Sequence, residues 1–178
     1  MRIWLLRHGE SEANVAGIVN DDPVREVPLT DLGRSQAQAA AHTLAGVNFT
    51  HAYASQLLRA RQTAEIVLLG RGLPLTIDAR LNERRSGLDG RPVEAFNGLV
   101  RLDPVRIRPE AGESFLDEMQ RLRGFLDEVA GRHPHAVVLA VSHENPILAV
   151  TALLGRDPEA AACGSLGNCE WVVLEWPV

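Results

Sequence analysis

Residues 5–14 read LLRHGESEAN. Just before and within it, residues 3–6 are all apolar and run without a break into Arg7-His8-Gly9-Glu10. A short unbroken apolar run of this kind reads as a strand buried on both faces, as in the interior of a parallel sheet. Where such a strand stops, its last residues lie at a sheet edge. This one ends by delivering an arginine and a histidine there, beside a glycine whose bare backbone admits close approach.

The rest of the chain repeats the alternation of apolar run and helical pattern. Strands are expected at 51–55, 75–77, 136–141 and 171–176, with 136–141 the clearest. Thr30-Asp31 caps a helix that reaches residue 45 and stops at Gly46, and a helix over 57–69 stops at Gly70. Residues 14–28 are polar, contain two prolines and read as a loop. Over 80–112 the pattern is broken by Gly87, Gly90, Pro92, Pro104 and Pro109, with a helix expected at 93–102. In 113–132 the residues Phe115, Leu116, Met119, Leu122, Phe125, Leu126 and Val129 mark one helical face. Asn145-Pro146 read as the cap and first turn of a helix to residue 154. Strands alternating with helices predict an α/β three-layer sandwich with a mostly parallel central sheet flanked by helices. The 178 residues make one domain, 1–178, with a short lid-like insertion at about 84–111.

Composition narrows the function. A formal net charge of −5 gives no footprint for nucleic acid or an anionic membrane. All 18 basic residues are arginine, which excludes a Schiff-base lysine and a P-loop lysine; recognition of an anion must use arginine, histidine or backbone N–H groups. The two cysteines, Cys163 and Cys169, make neither a disulfide framework nor a metal-binding spacing, and no metal or cofactor is expected. The apolar start is too short for a signal segment or a membrane span, so cytoplasm is the expected location.

In an open α/β sheet, ligands gather outside the carboxyl ends of the strands. The first strand ends on Arg7-His8 and the strand at 136–141 runs into Ser142-His143-Glu144, so two histidines reach the same edge. Arg59 falls in the first turn of the helix after the 51–55 strand, near that edge. Singly, a strand-end histidine is more often structural and a helix-start arginine more often part of a weak surface pair. Together they compose a site for a dianion such as a phosphoryl group.

These residues also carry a resemblance. Arg7-His8-Gly9-Glu10 resembles the signature of the histidine phosphatase superfamily, the phosphoglycerate mutase-like proteins. The stretch from Leu29-Thr30 through Gly33 to Gln36-Ala37 is similar to that family's Leu-Thr-x-x-Gly-x-x-Gln-Ala block, and Ser55 to Glu65 to its Ser-x-Leu-x-Arg-Ala-x-Gln-Thr-Ala-Glu block. Leu81-Asn82-Glu83, Gly112-Glu113-Ser114 and Val141-Ser142-His143 follow in the family's order. The resemblance implies a metal-independent phosphomonoesterase for small phosphorylated metabolites. It implies His8 as the nucleophile that becomes a phosphohistidine, and Arg7, Arg59 and His143 as the phosphate clamp. Asn14 would make a further polar contact, and Glu83 would protonate the leaving alcohol and then activate water. From the residues alone, without the resemblance, Glu83 in Glu-Arg-Arg reads rather as an ion-pair partner of Arg84 or Arg85. His42, His51, His133 and His135 match no functional motif.

Two departures bear on substrate. Glu144-Asn145-Pro146 stands where the family often has Gly-Gly, putting a carboxylate beside the phosphate unless it turns away or meets a cationic substrate group. The loop Ile18-Val19-Asn20-Asp21-Asp22 lacks the Thr-Gly of the mutases. A mutase also needs a long lid and a C-terminal tail to keep water out, and here the segment after the acid is short. Hydrolysis is therefore expected over the alternatives, a cofactor-dependent phosphoglycerate mutase or a non-catalytic phospholigand-binding protein of the same fold. Between residues 80 and 108 seven arginines face four acids, a surplus that fits either a lid over acidic metabolites or a solvated surface.

Overall fold

In the computed structural model, which describes residues 1–177, β1 (Arg2–Arg7) sends Ile3 and Leu5 into one apolar cluster and Trp4 and Leu6 into another. The strand is buried on both faces, and the alternation of its side chains builds both halves of the core. The other strands are β2 (His51–Ala54), β3 (Leu75–Ile77), β4 (Val137–Ser142) and β5 (Trp171–Glu175). They form one sheet in the order β3-β2-β4-β1-β5. All neighbours are parallel except β5, which pairs antiparallel with β1.

Helices cover both faces, giving the expected three layers. On one side lie α2 (Asp31–Thr43) and α3 (Leu58–Leu68); Ala37, Ala40, Ala60, Ala64 and Val67 pack there against Trp4, Leu139 and Val141. On the other lie α5 (Phe115–Arg132), α6 (Glu144–Leu153) and α7 (Pro158–Ala162), around Phe115, Phe125, Leu126 and Ile147. Ser114 and Asp117 form a capping box that starts α5. Its apolar face is as expected except for Leu116, which is 43% exposed. The connection leaving β1 passes through α2 and the one leaving β4 through α6, on opposite faces. Adjacent strands that part in this way open a crevice at their carboxyl ends, and α/β proteins bind ligands there.

Three elements differ from the sequence reading. A short helix α1 (Glu12–Ala16) enters the stretch expected to be loop, started by the Ser11–Asn14 capping box and ended by Gly17 at φ 63°. Five residues are too few for a helical period to register. Helix α6 is capped at His143 rather than Asn145, so Pro146 falls in its first turn, where a missing N–H costs no intrahelical bond. Helix α7, with Asp157 capping Pro158 at its first position, was not anticipated. The helix α4 (Val93–Val100) lies inside the broken segment as expected.

Candidate active site

His8 follows directly on β1 and His143 on β4. The two strands run in register, Arg7 opposite Ser142, and the His8 amide donates to the Ser142 carbonyl at 3.0 Å. This pairing alone brings the histidines together, with ring centroids 4.9 Å apart at an interplanar angle of 61°.

The turn beyond His8 is fixed by close packing. A Cβ at Gly9 would lie 2.3 Å from the Gly33 carbonyl oxygen, and one at Gly33 would lie 1.9 Å from that of Glu10. Gly9 is bare because α2 presses on it, a different reason from the ligand approach expected. The Gly9 amide donates to Thr63 of α3 at 3.1 Å and the Glu10 amide to Gln36 of α2 at 2.8 Å. Glu10 itself accepts from the Thr30 hydroxyl at 2.8 Å.

These anchors set one imidazole in one tautomer. His8 Nδ1 lies 2.7 Å from the Gly9 carbonyl, which can only accept, so Nδ1 carries the proton. Nε2 is left with its lone pair, which accepts from Arg59 Nε at 3.0 Å. Burial, then the charge of Arg59, holds the His8 pKa well below the ordinary histidine value despite the opposing Gly9 bond; Arg7 lowers it further. Arg59, 4% exposed, also donates to Asn20 Oδ1 at 2.6 Å and to its carbonyl at 2.9 Å. Burial lowers the Arg59 pKa to about 10, which still leaves it charged at neutral pH.

His143 is wired differently. The Gln56 amide is an obligate donor to Asn82 Oδ1 at 2.8 Å, so the Ser55 hydroxyl, 3.0 Å from the same oxygen, donates to it as well. Ser55 then accepts from His143 Nε2 at 2.8 Å, and His143 Nδ1 is buried with no partner among the described residues. Burial first, then Arg59, keeps this ring too well below the ordinary histidine pKa.

A cavity of about 480 Å³ opens over this edge. Arg7, His8, Asn14, Arg59, Glu83 and Glu144 line it, so six of the seven residues singled out from the sequence meet there. His143 is not among the residues that line it; it is fully buried, with its ring against that of His8. Arg7 donates to the Leu166 carbonyl and lies 3.4 Å from Glu144, whose Oε1 also accepts from the Leu166 amide at 2.8 Å. The carboxylate that replaces Gly-Gly is thus turned onto an arginine. Asn14 spends its side-chain oxygen on Ser11. Glu83 accepts from the Arg84 amide at 2.9 Å, and neither Arg84 nor Arg85 forms a salt bridge with it among the described residues. Burial raises its carboxyl pKa above the usual range, opposed by the Arg84 bond and by Arg59 and Arg7.

A match to the family model for the histidine phosphatase superfamily (branch 1) runs from residue 3 to 177. The chain belongs to that family. The adenosylcobalamin/alpha-ribazole phosphatase of Escherichia coli K12 is 34% identical over 170 residues, 90% of this chain and 82% of that one. The glucosyl-3-phosphoglycerate phosphatase of Mycolicibacterium vanbaalenii is 34% identical over 190 residues, covering 97% and 83%. A crystal structure of a putative alpha-ribazole-5'-P phosphatase from Escherichia coli superposes with a TM-score of 0.83 at 31% identity, covering 97% and 89%. The chain is a phosphatase of this family, in which transfer through a phosphohistidine is characteristic.

Several residues that build this histidine phosphatase site were not picked out from the sequence. Asn20 holds Arg59, and Asp89 Oδ1 holds Asn20 in turn at 3.2 Å. Ser55 and Asn82 lay inside recognised blocks, but nothing in their spacing shows that they orient His143. The surplus arginines of 80–108 serve other ends. Arg80 pairs with Asp78 and Glu128, Arg106 with Asp103, and Arg108 with Asp117; Arg84 alone reaches the cavity wall.

Proposed function

We propose that this phosphatase hydrolyses monoesters of small phosphorylated metabolites, without a metal, through a phosphohistidine on His8. The observation that carries the reading is the His8 ring, neutral and with its proton tied to Gly9, leaving Nε2 as the reacting lone pair beside two arginines. Nε2 attacks phosphorus as the ester P–O bond breaks, and Glu83 gives its proton to the departing alkoxide oxygen. A water molecule then attacks the phosphohistidine, Glu83 takes its proton, and the N–P bond breaks to release phosphate. The raised Glu83 pKa suits the first step. Arg7 and Arg59 offset the charge of the transferring group, as guanidinium clamps do in phosphoryl transfer. Arg59 uses three of its N–H groups in the free site, one from each nitrogen; as His8 Nε2 turns its lone pair to phosphorus the Arg59 Nε–H is released, so three of the five become available to phosphate oxygens.

In this reading His143 supports the clamp through the ring of His8, against which it packs, with its own Nε2 held by Ser55. Asn14 contacts the phosphate, and Glu144 orients Arg7 beside it. Residues 84–111 act as a short lid on the single domain 1–178. Hydrogen bonds between the lid and residues 18–22 support this: Val19 N to Arg91 O and Gly90 N to Val19 O, each 2.8 Å. Cytoplasmic residence fits an exposed free thiol, Cys163. Among the described residues no helix is long and apolar enough to cross a membrane.

The test is hydrolysis of p-nitrophenyl phosphate by wild type and His8→Ala. Activity should persist in EDTA, be blocked by vanadate, and fall by more than about 10⁴-fold in the variant. Activity lost on chelation, or retained by His8→Ala, overturns the reading. So does isomerisation of 3-phosphoglycerate with 2,3-bisphosphoglycerate that outpaces hydrolysis.

A further inference from the structure

The cavity is larger than a phosphate, and its outer wall has a chemical character of its own. Beyond the histidine edge it is bordered by Val93, Phe96 and Val100 of α4, Leu148 of α6, and Ile18 and Pro104. The polar groups among them are uncharged, Asn97, Asn145 and Ser165 among others.

Charge along the wall is confined to Arg7, Arg59, Arg84, Glu83 and Glu144, with His8 held neutral. Each arginine is accounted for. Arg7 and Arg59 flank the nucleophile and belong to the reacting phosphate. Arg84 is 3% exposed, and its three nitrogens each donate to a carbonyl, of Glu113, Pro104 and Ile107, at 3.2 Å. Its charge sits over the rings of Phe96 and Phe115, at 5.2 and 5.9 Å. The remaining arginines of the 84–108 segment point elsewhere, with Arg85, Arg91 and Arg101 exposed and absent from the wall. Beyond the phosphate's own arginines, a second anionic group on the substrate would therefore meet, among the described residues, only the buried Arg84, already bonded to three carbonyls and set over two rings, while two carboxylates already stand there. An apolar or aromatic surface would meet Val93, Phe96 and Val100 directly.

Given the phosphatase reading above, we infer that the natural substrate is a monophosphate of a neutral alcohol that carries an apolar ring and no second phosphate or carboxylate. The specificity determinants are the α4 side chains Val93, Phe96 and Val100, and recognition beyond the phosphate is by apolar contact and stacking.

Three esters with matched primary-alkyl leaving groups test this: 2-phenylethyl phosphate, glycerol 3-phosphate and 3-phosphoglycerate. The last two differ only in a carboxylate replacing a hydroxymethyl group. Wild type should show kcat/KM falling in that order, with glycerol 3-phosphate ahead of 3-phosphoglycerate by at least about tenfold, the effect of an unpaired like charge. Phe96→Ala should reduce the ratio of phenylethyl to glycerol phosphate about fivefold, the range of one ring contact. Val93→Arg supplies the missing cation and should shift the ratio of 3-phosphoglycerate to glycerol 3-phosphate upward. If wild type hydrolyses 3-phosphoglycerate as well as or better than glycerol 3-phosphate, the inference fails while the phosphatase reading stands. A phenylethyl-to-glycerol ratio unmoved by Phe96→Ala also sinks it. Failure to hydrolyse any of these esters or p-nitrophenyl phosphate removes both.

Discussion

Arginines lie on either side of the loop that carries Glu83, and the two sides are wired in opposite ways. Behind the loop, Arg121 donates to Glu113 at 3.2 and 2.7 Å, and to the carbonyls of Arg80 and Asn82 at 2.6 and 3.0 Å. Its charge is matched and its donors hold the backbone on which Glu83 stands. In front of the loop, Arg59 points at a neutral imidazole and an asparagine, and Arg7 has Glu144 only at 3.4 Å. Among the described residues Arg7 Nε and His143 Nδ1 have no hydrogen-bond partner. Buried polar atoms are ordinarily satisfied, and Arg7 Nε is one on the cavity wall that a ligand can complete. Behind the loop the arginine is bonded to a carboxylate; in front of it, among the described residues, Arg59 has no carboxylate in salt-bridge range and Arg7 has one at 3.4 Å, so this side is the one left to bind an anion.

The largest effect should come from the residue between the two sides. Glu83→Gln removes the proton donor and should slow alkyl phosphates by roughly 10²–10⁴-fold, and p-nitrophenyl phosphate less, because nitrophenolate leaves without help. The pH profile carries the sign. A raised Glu83 pKa keeps the acid form up to a higher pH than an ordinary glutamate, and activity should decline as pH rises through it. The depressed His8 pKa keeps the nucleophile neutral to below the usual histidine range, so the acid limb should lie low. Loss of the alkaline limb in Glu83→Gln is the expected signature; an unchanged limb assigns the acid elsewhere.

The arginine behind the loop should register in stability. Arg121→Ala strands Glu113, which is 2% exposed, and should lower unfolding free energy by about 3–5 kcal/mol in urea titrations. Adding Glu113→Gln to that variant should restore part of the loss. No recovery would show that Arg121 acts through packing and would weaken the contrast.

Glu118 offers the smallest and sharpest test. It is fully buried, Arg121 lies 3.5 Å from one oxygen, and the other oxygen has no partner. Burial pushes its pKa well above the ordinary value, Arg121 opposing. A raised folded pKa gives stability that is complete at low pH and lost as pH rises through that value. Glu118→Gln should therefore stabilise the protein by about 1 kcal/mol at pH 8 and by less at pH 5. Destabilisation at both would make Glu118 a needed partner of Arg121.

Much of this was legible in the chain itself. The two-sided apolar run of β1, the helix cap at Thr30, and the parallel alternation are local or periodic features that adjacent residues dictate. The residues at the strand ends were legible too, because the topology of an open α/β sheet sends them to one edge whatever their side chains do. Other features were set by contacts between distant segments. That Gly9 is bare for Gly33, that Glu144 faces Arg7, and that Arg84 is bonded to three carbonyls depend on atoms brought together across the fold. The tautomers of His8 and His143 are of the same kind, each set by a partner on the far nitrogen. Sequence thus determined which groups reach the edge, since strand register and residue order carry them there. Only the tertiary structure decided which are spent on one another and which stay open, because hydrogen-bond donors and charges are satisfied by whatever lies within about 3 Å, irrespective of its place in the chain.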